Sequence, residues 1–213
     1  MPEHLERLGA RLSDEQSSLL EKIRALSENV QHIKEIVAMQ QNYSKVGGLR
    51  ETASISEVVE DALRMCSGAL ARHDIDLTRD YEDLPPLILD RHKALQILFN
   101  LLDNAKLACW ESGRPDKRIT VRIVRQGSER VRIEVIDNGV GIAPENLDRI
   151  FTQGFSTRKD GHGFGLHSSI LAAQDLGGTL TVRSPGPGAG AAFTLEIPLT
   201  IPQVCDEIAL STH

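Results

Sequence analysis

Two pairs of alternating segments constrain the fold most. ITVRIVRQ (119–126) and RVRIEVID (130–137) carry apolar residues at every second position, and Gly127-Ser128 between them is a hairpin signal. TLTVRS (179–184) and AAFTLEIP (191–198) repeat the pattern around PGPGAG. Strands of period two bury one face, so the sheet they build needs a cover. Helical segments supply it. Ser56 followed by EVVEDALRMCSGALARH reads as a capped helix, and DRHKALQILFNLLDNAKLACWESG (90–113) as a strongly apolar helix ending near Gly113. A short helix at 145–151 and another at about 165–176 follow, while IDLTRDY alternates as a further strand before the break at Pro85-Pro86. Helices and strands fall into runs, which predicts an α+β fold: one layer of sheet and one of helices.

The N-terminal part is of another kind. Residues 5 to about 44 read as one long helix in which Leu12, Leu19, Ile23, Leu26, Val30, Ile33 and Val37 form a narrow apolar seam. A single helix cannot bury such a seam, so a helical bundle is expected, as a homodimer. SKVGGLRETASIS (44–56), broken by Gly47-Gly48, reads as a linker. The expected organisation is therefore a helical dimerisation segment over 1–46, an α+β domain over 50–199 and a weakly ordered tail over 200–213.

Composition narrows the function. One Trp, two Tyr and five Phe in 213 residues leave an aliphatic core and no stacking platform for single-stranded nucleic acid. A formal charge of −6 argues against a nucleic-acid partner. Cys66, Cys109 and Cys205 are widely spaced, with neither a C-x-x-C pair nor a zinc spacing, as in a reduced cytoplasmic protein. No apolar run reaches the ~20 residues of a membrane span, so a membrane is expected only through segments upstream of this chain.

Three segments carry the chemistry. In GFSTRKDGHGFGLH (154–167), Gly161, Gly163 and Gly165 alternate and open onto a helix, which lets backbone N–H groups approach an anion. Arg158, Lys159 and His162 stand ready with charge or donors. The plain alternative is a flexible turn. DNGVGI (137–142) follows a strand directly; Asp137 suits an acceptor for an exocyclic amine, with Gly139 and Gly141 leaving room for a flat ring. Its alternative is an Asp-Asn-Gly turn, against which stands the absence of a returning strand. In NLLDNAKLA (100–108), Asn100 and Asn104 share one helix face and offer hard oxygens of the kind that suit Mg2+. The alternative is a helix with two partly buried amides bonded to backbone.

The order of these segments resembles the ATP-binding domain of sensor histidine kinases, in the superfamily that includes DNA gyrase, Hsp90 and MutL. NLLDNA looks like the N box, DNGVGI the G1 box, IFTQGFSTR (150–158) the F box, GHGFGL (161–166) the G2 box, and GAAFTLEIP (190–198) the closing strand. The resemblance covers about residues 50–199 and implies a Bergerat-type α/β sandwich, a mixed sheet with helices on one face and ATP between the helices and a mobile lid. It implies Asn104 as the Mg2+ ligand with Asn100 near metal or phosphate, Asp137 on the adenine amino group, and Gly139, Gly141 and Ile142 beside the base. Thr194 would reach the adenine site through water. The lid would run from Phe151 to Leu166, with Thr157, Arg158, Lys159, Gly161, His162, Gly163 and Gly165 about the phosphates. Leu107 stands where a lysine is frequent, and Lys106 one place earlier is its substitute candidate.

Asn100 separates branches of the superfamily. Members that hydrolyse ATP or phosphorylate serine tend to carry glutamate there, and an amide is no general base at neutral pH. The resemblance thus implies a histidine kinase, with in-line transfer of the γ-phosphoryl to an imidazole and then to a response-regulator aspartate. His32 is the acceptor candidate in this sequence, but Ile33 follows it where the family pattern has an acid, and no proline comes after. The segment looks more like the second helix of a kinase hairpin, so the acceptor is expected upstream. A superfamily ATPase or serine kinase, and a non-catalytic nucleotide-binding scaffold, are the competing readings.

Overall fold

The computed structural model of the chain describes residues 50–158 and 163–200. The expectations for the 1–46 helix, for His32, for the tail beyond Thr200 and for Lys159, Gly161 and His162 lie outside the described residues.

Eleven elements are described: β1 (Glu51–Ala53), α1 (Ile55–Arg72), β2 (Asp76–Tyr81), β3 (Leu87–Leu89), α2 (Arg91–Glu111), β4 (Arg118–Gln126), β5 (Arg130–Asp137), α3 (Pro144–Leu147), α4 (Gly165–Asp175), β6 (Thr179–Arg183) and β7 (Ala191–Pro198). The five-stranded sheet has the order β2-β4-β5-β7-β6. β2 runs parallel to β4, and the other neighbours are antiparallel. The sheet is thus mixed, as the resemblance implied.

Alternation decides which face is covered. Ile119, Val121 and Ile123 of β4, Val131, Ile133 and Val135 of β5, and Phe193, Leu195 and Ile197 of β7 are buried. Their register aligns them in rows, such as Val121–Val135–Phe193. The helices answer with stripes of helical period: Ile55, Val58, Val59, Ala62, Leu63, Cys66 and Leu70 on α1, and Ala94, Ile97, Leu98, Leu101, Leu102, Ala105 and Cys109 on α2. Each fully buried Leu or Ile contributes about 2 kcal/mol. The opposite sheet face carries ion pairs, Arg122 with Asp80 and Glu134, and Arg132 with Glu196.

Local differences from expectation have local causes. α1 is capped by Ser54, not Ser56, and the Ser54 hydroxyl bonds the Ser56 hydroxyl at 2.8 Å. Its end is a Schellman turn: Asp74 at φ +54 donates to Ala71 O, and Ile75 N–H reaches Leu70 O. α2 starts at Asp90, whose carboxylate accepts the Lys93 N–H at 3.2 Å. The short helix begins earlier than expected, with Pro144 in its first turn, and ends at Leu147. β1 and β3 were not anticipated: they form a separate antiparallel pair, Thr52 opposite Ile88, from three-residue segments too short to show a period.

Candidate functional site

Asp137 ends β5 on the helix-facing side of the sheet, opposite Ala191 of β7, and is 5% exposed. Its Oδ1 accepts the Gly139 N–H at 2.8 Å. Burial pushes its pKa up to about 6; the backbone N–H groups of Gly139 and Ala191, and then the Arg158 charge, pull the other way. A carboxylate has about four lone-pair sites and two N–H groups occupy this one, so it can accept a further donor.

The turn after Asp137 is locked to α2. Val140 N–H donates to Ala108 O at 3.1 Å, and a Cβ on Gly139 would come within 2.4 Å of the Ala108 backbone. Gly139 is therefore a close-packing residue against α2. Gly141, at φ +70, faces the 184–190 turn, where an added Cβ would lie 2.1 Å from Gly186 O. Its small size, too, serves backbone packing. Asn138 is likewise structural: its amide accepts from Arg118 N–H at 2.8 Å and donates to Asp116 O at 2.6 Å.

One face of α2 gathers the remaining parts, at positions 100, 104, 108 and 111, which helical spacing stacks in a row. Asn100 Nδ2 donates to Gly165 O at 3.2 Å and to Ser169 Oγ at 3.0 Å, fastening the start of α4. Asn104 Nδ2 donates to Asn100 O at 2.9 Å. With both amino groups so used, the amide oxygens are the atoms these residues offer a cation. Ala108 holds the Asp137 turn, and Glu111 binds Arg158 at 3.0 Å. The end of β5 and both ends of the glycine loop thus converge on a single helix face.

The loop is closed at its base. Gly154 N–H donates to Gly163 O at 3.1 Å, and His167 Nδ1 bonds Phe151 O at 3.0 Å. Gly163 has φ +67, and a Cβ there would meet the Gly154 backbone at 2.4 Å. The Arg149 guanidinium sits 4.6 Å above the Phe155 ring. Ser156 Oγ accepts from Arg158 N–H at 3.1 Å. Thr157 is exposed, and Ile142 and Leu166 are half-buried.

Three expected residues are placed differently. Thr194 stands in register with Glu134 and Thr181, on the face of the sheet away from Asp137; Ala191 occupies the place beside that carboxylate. Strand parity, invisible without the register, makes the difference. Lys106 pairs with Asp103, one turn back on α2. Arg158, expected at phosphate, pairs with Glu111. Ala108, Glu111, Ser169 and Ala191 also belong to the site, though no motif in the sequence singles them out. Of these, Ala108 was within reach, since it lies four residues beyond Asn104 on the same face.

Residues 89–201, more than half of the chain, match the model of the histidine kinase-, DNA gyrase B- and HSP90-like ATPases. The chain belongs to that ATP-binding family. It is 35% identical over 150 residues to the sensor histidine kinase ZraS of Klebsiella oxytoca, a match covering 70% of this chain and 31% of that protein. The chain therefore spans about a third of the length of this curated relative. Among solved structures, the nucleotide-free catalytic domain of histidine kinase ThkA superposes with a TM-score of 0.63 at 24% identity, covering 71% of this chain and 98% of that one. Full-length ShkA in complex with AMPPNP gives 0.69 at 23% identity, covering 86% and 39%. Both likenesses are of fold. No described helix is long and apolar enough to cross a membrane.

Proposed function

We propose that this chain is the ATP-binding part of a two-component histidine kinase, with adenine recognised by Asp137 and Mg-triphosphate held between Asn100, Asn104 and the loop 151–166. The observation that carries it is the buried Asp137 carboxylate at the end of β5, its turn bonded through Ala108 to the α2 face that carries the two asparagines and holds both roots of the glycine loop. An exocyclic amine would be a further donor to this carboxylate, beside the Gly139 and Ala191 N–H groups. The cation reading rests on donor chemistry. Among the described residues no three His, Cys, Asp or Glu side chains cluster to hold a metal, whereas amide oxygens suit an ion that keeps waters and leans on phosphate. Mg2+ would neutralise phosphate charge there. Arg158 would exchange Glu111 for phosphate as the loop closes, with Lys159, Gly161, His162 and Gly163 over the triphosphate and Gly165 at the α4 N-terminus.

Asn100 supports phosphoryl transfer over hydrolysis. Its amide is used on Gly165 and Ser169 and supplies no general base. The acceptor imidazole would attack the γ-phosphorus in line as the bond to ADP breaks, and a receiver-domain aspartate of a response regulator would take the phosphoryl next. The chain would work as a cytoplasmic homodimer through residues 1–46.

Incubating the purified chain with γ-labelled ATP and Mg2+ tests this. The expected result is no label alone, and an acid-labile, base-stable label on an added acceptor-helix fragment. A label on this chain that vanishes in His32→Ala would make His32 the acceptor. Steady phosphate release without any protein label would replace the kinase reading with an ATPase.

A further inference from the structure

We propose that Ser184 is a positioning residue for adenine recognition, fixing the Asp137 carboxylate through the 184–190 turn; this rests on the assignment of Asp137 to the adenine amino group. Ser184 follows β6 and places its Oγ where the DNGVGI turn and the PGPGAG turn meet. It accepts the Ile142 N–H at 3.0 Å, donates to Gly190 O at 2.7 Å and accepts the Gly186 N–H at 3.3 Å. One hydrogen and two lone pairs are all a hydroxyl has, so its bonding capacity is filled by three backbone groups.

Those groups bracket Asp137. Ile142 fixes the far end of the DNGVGI turn. Gly190 fixes the near end, because its N–H donates to Gly139 O at 3.2 Å and a Cβ on it would lie 2.0 Å from Asp137 O. Gly188 N–H adds a bond to Val140 O at 2.6 Å. Ala191, next in the chain, brings the N–H that favours the charged form of Asp137. The two turns thus lie backbone against backbone, with glycines at 141, 186, 188 and 190 all at positive φ. The Ser184 hydroxyl is the side-chain group that ties them. Without it, the Ile142 N–H loses its acceptor, and only the backbone bonds of Gly188 to Val140 and Gly190 to Gly139 are left to tie the two turns, so the Asp137 turn is held less firmly. A carboxylate that has to meet one amino group tolerates little such loosening.

The proposal predicts a change in selectivity, beyond any loss of affinity. The probes are Mg-ATP and the Mg complex of purine riboside triphosphate, which lacks only the 6-amino group, measured by calorimetry on the full chain. Wild type should prefer ATP by about 10-fold or more, the worth of a buried charge-assisted hydrogen bond. Ser184→Ala should reduce that preference to about 3-fold or less, while Ser184→Thr, which keeps the hydroxyl, should restore it. Should the alanine variant fail to fold by circular dichroism, Ser184→Cys provides the same comparison with a weaker donor. An unchanged preference in the variant, even with both ligands bound more weakly, would overturn the positioning role and leave Asp137 in place. A wild type that does not distinguish the two ligands would overturn the Asp137 assignment, and the Ser184 proposal with it.

Discussion

Replacing Asp137 by asparagine should make the nucleotide-free protein more stable and abolish its affinity for ATP. Burial raises the carboxyl to about 6 against an ordinary 3.8. Across that interval the folded protein holds a proton that the unfolded chain has released, so stability falls as pH rises through it and stays lowered above pH 6. The gap corresponds to on the order of 3 kcal/mol at neutral pH. Asparagine carries no charge to desolvate and retains an oxygen for the Gly139 N–H. Its amino group has to face the Ala191 N–H, a mismatch worth about 1 kcal/mol. The net gain should then be about 2 kcal/mol at pH 7.5, turning into a loss of about 0.5 kcal/mol near pH 4. Urea unfolding of both proteins without nucleotide, from about pH 4 to about pH 8, reads the difference directly. Other titrating groups cancel between the two proteins. A difference that stays constant across this range would refute the reasoning, because only the ionisation of Asp137 can make it vary. In parallel, ATP affinity of the wild type should weaken as pH falls below 6, where the acceptor becomes protonated.

Three further outcomes follow from the geometry. Asn104→Ala should lower affinity for Mg-ATP by about 10-fold or more and leave metal-free ATP binding in EDTA nearly unchanged; equal losses by calorimetry would remove Asn104 from the metal. Gly141→Ala should cost about 3 kcal/mol or more in urea unfolding, because φ +70 and a contact of 2.1 Å with Gly186 O both oppose a Cβ. Glu111→Gln should leave thermal stability within about 2 °C, since a half-exposed ion pair contributes little. Tryptic cleavage after Arg158 should nevertheless speed up roughly threefold as the loop loses its tether; an unchanged rate would mean that the pair does not hold the loop.

Much of the fold was legible in the chain itself. Alternation in 75–81, 119–126, 130–137, 179–183 and 191–198 marked the five strands of the main sheet, and the apolar stripe of 90–113 marked a helix that covers them, because a period of two or of 3.6 is a property of neighbours in sequence. Asn100 and Asn104 could be assigned to one face for the same reason, and the order of glycine and asparagine segments led to the right family. The three-residue strands β1 and β3 escaped, being shorter than any period. What the tertiary structure decided was which groups meet. Whether Thr194 or Ala191 shares the face of Asp137 depends on the register of β5 against β7, and a shift of one residue would turn Thr194 to that face and Ala191 away from it. That Gly139 and Gly141 pack against Ala108 and Gly186, residues distant from them in sequence, was equally invisible in the chain. Arg158 and Lys106 announced positive charge, while the partners that take it up, Glu111 and Asp103, are set by helix phase and loop path. Local periodicity fixes the faces of each element, but contacts between elements depend on register and close packing, which are settled only when the whole core forms.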